Sequence, residues 1–211
     1  MVHPPESPKP ETHNNNPDII EFGKNSDTYK IIVDLKARWE RALSQDEKDR
    51  IAALGIKVRE LARAGTPCMY GQEKVTTMLQ ANAEKGQQKF NEIIEVHMWS
   101  SGLSGDPVTS AYSWFVSMTC TEWNYKLNPD WQVPYDAFDG VDTNLENWKN
   151  WTPWIYFEGE LRSADKIGNI NLGYVGTKMG FYGVAIKNPY TMDKDDGPSV
   201  LFGIELAEKI Y

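Results

Sequence analysis

Apolar residues in the first hundred positions return every three or four places, and this period restricts the N-terminal half to helices more firmly than any other feature. Ile32, Leu35, Trp39 and Ala42 mark one helix. Ser44, with Glu47 three places on, forms a capping box for a second that buries Ile51, Leu54, Val58 and Leu61; Gly65, Thr66 and Pro67 supply its stop. A third stretch from about Gln72 sets Val75, Met78, Leu79, Phe90, Ile93, Ile94 and His97 on one side, with Gly86 as an expected break. Residues 1–25 fall outside the pattern. They hold Pro4, Pro5, Pro8, Pro10, Pro17 and the run Asn14 to Asn16, with almost nothing to bury, and read as a disordered tail.

Beyond a glycine-marked loop from Ser100 to Pro107 the character changes. Val108, Tyr112, Phe115 and Thr119 predict one more helix, after which aromatics crowd together from Trp123 to Phe157. Most of these rings read as core, with one or two left in a groove to stack on sugars or bases. Asp130 to Asn150 has no clean period and reads as a long loop over a site. The expected fold class is therefore α+β, mainly α-helical: a tail over 1–25, a helical region over 26–100, and a mixed C-terminal domain over 101–211 packed against it.

Charge narrows the partners. Twenty-two Lys and Arg against thirty Asp and Glu leave −8, so phosphate backbones are repelled unless a local basic patch overrides the total. Two cysteines, Cys68 and Cys120, are too few for a disulfide framework and read as buried thiols. The uncharged run from Pro107 to Thr121 is shorter than the roughly 20 residues of a membrane span, so no membrane association is expected. Met1 to Pro17 lacks the apolar core of a secretory signal, so a cytoplasmic chain, or one exported by another route, is expected. No zinc, calcium or nucleotide motif is intact, and the expectation is of neither metal nor cofactor. In the acidic run Asp193, Asp195 and Asp196, the calcium-loop glycine position holds Pro198 and the bidentate Glu position holds Ile204. An acidic start to the last helix explains that run.

Three islands resemble the polymorphic toxin type 44 (bacterial toxin 44) family. Trp114-Phe115, followed by Glu122-Trp123-Asn124-Tyr125-Lys126, is similar to that family's WF helix leading into W-D-Y-K, with Asn124 where Asp is usual. The run Asp165 to Gly176, ending at Gly180, is similar to D-F-G-N-F-N-Y-G-A-T-G, with Leu172 in place of a tyrosine. Asp195-Asp196-Gly197-Pro198, then Gly203-Ile204 and Tyr211, is similar to the closing D-D-P and G-I-x-Y-Y pattern. The match covers the C-terminal half, interrupted by an insertion from about Leu127 to Leu161. The resemblance implies a toxin acting between competing cells, a stand-alone or trimmed module with a cognate immunity protein as partner.

The second island carries the candidate chemistry. Gly168, Gly173, Gly176 and Gly180 predict a tight bend. On an extended segment Asp165, Asn169 and Asn171 would face one way, a carboxylate and two amides able to orient water or a hydroxyl-rich substrate. A turn capping a helix from Gly173 to Tyr182 fits the same residues. Glu158 and Glu160 would share a strand face, as a solvated edge or, with Asp165, as the acid and base of a glycosidase. Glu122 and Lys126 sit at i and i+4, a helix-face ion pair unless Lys126 stabilises an anion. His97, on an apolar face, reads as a satisfied structural residue rather than a catalyst.

These readings converge on a hydrolytic toxin acting first on cell-wall glycan or peptidoglycan. Asp165, Glu160 and Lys126 are the catalytic candidates, and Trp123, Asn124, Asn169, Asn171 and Tyr174 the substrate-binding ones. The alternatives are a ribonuclease toxin, with Lys126, Arg162, Lys166 and Lys178 as a basic patch around Asp165, and a non-enzymatic glycan-binding module.

Overall fold

A computed structural model describes residues 16–66, 68–99, 106–120, 122–123, 154–181 and 196–209. The chain is mainly helical with a small mixed sheet, an α+β fold, as its patterning predicts. The helices are α1 (Pro17–Phe22), α2 (Asp27–Arg41), α3 (Gln45–Arg63), α4 (Gln72–Trp99), α5 (Pro107–Cys120), α6 (Ala164–Lys178) and α7 (Gly197–Lys209). The strands are β1 (Cys68–Tyr70), β2 (Trp154–Phe157) and β3 (Glu160–Arg162).

Local chemistry sets several of the helix ends. The Ser44 hydroxyl accepts from the Glu47 amide at 3.1 Å, so the expected cap opens α3. Gly65 closes it at φ 73°, where the Thr66 amide reaches back to the Leu61 carbonyl at 2.8 Å. Two expectations are corrected. Gly86 does not break α4, which runs unbroken through it. A Cβ there would lie 2.8 Å from the Met179 sulfur, so the glycine serves close packing against the end of α6. Part of the stretch expected to be a tail is helical, because Asn16 caps α1 with Pro17 in its first turn. That short helix buries no residue. It is held by Asp18 on the Arg59 guanidinium, at 2.9 and 3.0 Å, and by Glu21 on Arg63.

The sheet order is β1-β2-β3, β1 parallel to β2 and β2 antiparallel to β3. Because side chains alternate across a strand, β2 feeds two cores. Ile155 and Phe157 join α4, α5, α6 and α7 on one face, whereas Tyr156 joins Ile31, Ile32, Leu35 and Val58 of α2 and α3 on the other. The expected division at residue 100 therefore does not separate two cores. The sheet does, and α4 belongs with the C-terminal elements. Cys68 is buried at the edge of the second core, where desolvation pushes its thiol up to about 11.

The closest packing joins α6 and α7. A Cβ on Gly173 would stand 2.1 Å from the Val200 carbonyl oxygen, and one on Gly203 would stand 2.1 Å from that of Ile170. The contact is reciprocal: each glycine sits over the carbonyl three residues before the other. Gly173→Ala or Gly203→Ala is expected to cost about 3 kcal/mol in urea unfolding, because backbone on both sides must move apart. Gly180→Ala, with φ of 82° but nothing within 4 Å of the added carbon, is expected to cost only about 1 kcal/mol. The Arg59 hydrogen bond holds the Asp18 carboxyl below its usual 3.8 despite partial burial. A depressed carboxylate stabilises above its unfolded pKa and loses that contribution as pH falls through the folded one. Protease cutting of α1 should therefore rise as pH drops below 3.8, ahead of cutting in α4, and Asp18→Asn should show the same weakness at pH 7.

Candidate functional site

Residues 164–178 form a helix, not a bend, and this changes which groups meet. Ser163 caps α6, its hydroxyl accepting from the Lys166 amide, and no residue of the helix has positive φ. Of the four second-island glycines only Gly180 lies in the left-handed region. It follows the helix in a reverse turn in which the Phe181 amide bonds the Gly176 carbonyl at 2.9 Å. Gly173 and Gly176 are buried and Gly168 half-buried along the helix.

The helical period of 3.6 separates Asn169 from Asn171, which an extended chain would have aligned. Asn171 is fully buried. Its side-chain oxygen accepts from Asn82 of α4 at 3.0 Å and its amide nitrogen has no partner among the described residues, so it is part of the core. Asp165 and Asn169, at i and i+4, do share a face, with Cβ atoms about 6 Å apart by helix geometry. Asn169 Nδ2 donates to Asp196 Oδ1 at 2.7 Å, across 27 residues of sequence. The Asp196 carbonyl meanwhile accepts from the Ser199 and Val200 amides, so this residue opens α7 while its side chain faces α6. One half-buried patch thus holds Asp165, Asn169 and Asp196, two carboxylates around an amide, at the ends where both helices start. The patch could orient water between an acid and a base.

Other expected site residues fall elsewhere. Trp123 is buried against Trp114 and Phe115, their ring centroids 5.9 and 6.1 Å away. Tyr174 is buried, its hydroxyl pushed up by desolvation and its ring 5.8 Å below the Lys178 ammonium. Asn124, Lys126 and the loop from Asp130 to Asn150 lie outside the described residues, as does Tyr211. The basic patch expected around Asp165 does not form from its other members. Arg162 is 8 % exposed, 4.3 Å over the Phe202 ring and paired with Glu160 at 3.1 Å. Lys166 and Lys178 are separated by about 18 Å of helix. His97 bonds the Ile93 carbonyl at 2.9 Å, the satisfied role expected of it.

Glu158 and Glu160 do not share a strand face, because Glu158 and Gly159 are the two turn residues between β2 and β3, at φ of 52° and 82°. Gln72 clamps Glu158 from both ends: the Glu158 amide donates to Gln72 Oε1 at 3.0 Å, and the Gln72 amide donates to the carboxylate. Both glutamates line a cleft of about 770 Å³ between the hairpin and α2 and α3, away from Asp165. Among the described residues no three His, Cys, Asp or Glu side chains are grouped to hold a metal, and no helix is long and apolar enough to cross a membrane.

Sequence reasoning placed Asp196 in the acidic start of the last helix and in the third island, not among the site residues. The pairing of the D-D-P island with the G-N-x-N island was the available signal. Comparison with family models, with curated proteins and with solved structures finds no match to this chain. The Asn169–Asp196 bond involves a charged acceptor in a half-buried setting. A double-mutant cycle of Asn169→Ala and Asp196→Ala, read by urea unfolding, is expected to give a coupling of about 1.5 kcal/mol.

Proposed function

We propose that this chain is a hydrolytic toxin of the polymorphic, interbacterial type, with Asp165, Asn169 and Asp196 as its reactive groups and a cell-wall glycan as its substrate. The observation that carries the reading is the 2.7 Å bond between Asn169 and Asp196. It joins two of the three motif islands on which the toxin resemblance rests, and Asp165 stands one helical turn from Asn169. Two carboxylates at one patch suit acid and base roles at a glycosidic bond, one protonating the leaving oxygen while the other serves water or the sugar carbon. Asn169 holds Asp196 in place and can donate to a sugar hydroxyl. A neutral polymer fits a patch from which Arg162 is turned inward and along which Lys166 and Lys178 are far apart. An immunity partner that covers the starts of α6 and α7 would block this site.

Expression in the bacterial periplasm tests the reading directly. The unaltered chain should lyse cells and release wall fragments, and Asp165→Asn or Asp196→Asn should lower fragment release about 100-fold, the usual contribution of a general acid or base. Killing from the cytoplasm with degraded RNA, and none from the periplasm, would replace the glycan with a ribonuclease substrate. Wall binding without fragments would leave a binding module.

A further inference from the structure

The cleft between α2, α3 and the β2–β3 turn is outside the proposed reactive patch, and its walls come largely from the half of the chain that the toxin resemblance does not cover. Its charge is unlike that of the whole molecule. In a chain of net charge −8, four cations line it, Arg38, Arg41, Arg50 and Lys57, against Glu47, Glu158 and Glu160. Arg41, Arg50 and Lys57 have no carboxylate within ion-pair distance among the described residues, although acidic side chains outnumber basic ones overall. Among the described residues their charge is left to a ligand.

Arg38, Lys57 and Glu158 are held in place before anything binds. Asp34 Oδ2 accepts from the Tyr156 hydroxyl and from Arg38 Nε, each at 2.7 Å, which pins the Arg38 side chain. Its guanidinium lies so close to Gly159 that an added Cβ would be 2.9 Å from Nη1. Glu158 is fixed by Gln72 at both its amide and its carboxylate. The Lys57 ammonium rests 4.9 Å from the Trp154 ring centroid. Between the charges the lining is apolar, with Ala42, Ile51, Leu54 and Leu161. Such preorganisation lowers the ordering cost of binding.

We infer that this cleft binds a nucleoside phosphate, with the phosphate on Arg41, Arg50 and Lys57, the ring over the apolar lining, and Glu158 and Glu160 accepting from ribose hydroxyls or base amino groups. The three kinds of lining match the three parts of such a ligand. A bare phosphate leaves the carboxylates unused and repelled. The volume of about 770 Å³ lies within the 300–1,000 Å³ typical of small-ligand sites. A free nucleotide and one residue of an RNA strand present the same chemistry, and the two sources are separable by measurement.

Isothermal titration of the full chain with GMP, AMP, a short single-stranded RNA, inorganic phosphate and a glutamate-rich peptide tests the inference. Saturable binding of a mononucleotide or of the RNA is expected, at least about tenfold tighter than inorganic phosphate and weakening with salt. If the RNA binds and neither mononucleotide does, the source is a strand; if a mononucleotide binds as tightly as the RNA, the source is the free nucleotide. Arg41→Gln combined with Arg50→Gln, two exposed positions whose loss leaves the core intact, should weaken binding at least about tenfold. Asp165→Asn should leave it unchanged, so failure of the reactive patch and failure of this cleft are told apart. No saturable binding of any nucleotide or RNA, binding indifferent to the two arginines, or tighter binding of the acidic peptide would overturn the proposal.

Discussion

The reciprocal contact of Gly173 with the Val200 carbonyl and of Gly203 with the Ile170 carbonyl sets the distance between α6 and α7, and with it the position of everything those helices carry. A glycine inside a helix costs about 1 kcal/mol relative to alanine. Here the loss is offset because two backbones approach within van der Waals range, and a row of buried side chains, Ile167, Ile170, Val200 and Ile204 among them, closes around the crossing. Asn169 can then reach Asp196. With helices held apart by even a methyl group on each side, a hydrogen bond of 2.7 Å at the edge of the contact would not span the gap. Packing and site are one constraint in this pair.

That coupling explains which expectations held. The helical period of the N-terminal half was legible because it is local: the Ser44 cap, the Gly65 stop and the buried Ile32, Leu35 and Val58 depend on neighbours within a turn or two. The second island was misread for the opposite reason. Glycine serves both a sharp bend and a close helix contact, and only the partner, 30 residues further on, decides between them. With the bend went the alignment of Asn169 and Asn171, since a period of 2 became one of 3.6. Asp165 and Asn169 stayed together because four residues suit a helix face as well as a strand face. The cleft was illegible because Arg38, Arg41, Arg50 and Lys57 look like ordinary solvated charges until a hairpin more than a hundred residues away closes over them.

β2 is the element through which the two halves of the molecule communicate. Ile155 and Phe157 fill the core under α6 and α7, while Tyr156 between them stacks on Tyr70 and donates to Asp34. Its hydroxyl is pushed far above the ordinary tyrosine range by burial and by the Asp34 carboxylate, so it remains a donor at every pH the protein meets. The strand ends in the Glu158-Gly159 turn, and β3 then leads through Arg162 into the Ser163 cap of α6. A single run from Trp154 to Lys178 therefore carries one wall of the cleft, the middle of the sheet and one side of the Asp165–Asn169–Asp196 patch.

The turn itself gives the cleft a fixed wall. A glutamate at positive φ carries backbone strain of order 1 kcal/mol, which a surface loop under no constraint would shed by placing glycine or asparagine there. Gln72 offsets that strain with two hydrogen bonds to the same residue, and the next position is glycine, where any side chain would strike the Arg38 guanidinium. Gln72, Gly159 and Arg38, from separate elements, thus fix a carboxylate and a guanidinium in the lining of one cleft. Neither is used up by the other, because Asp34 already satisfies Arg38 and Gln72 already orients Glu158. Arg38 and Glu158 thus act as fixed supports of the cleft wall, and Arg41, Arg50 and Lys57 are the lining cations without a carboxylate partner among the described residues.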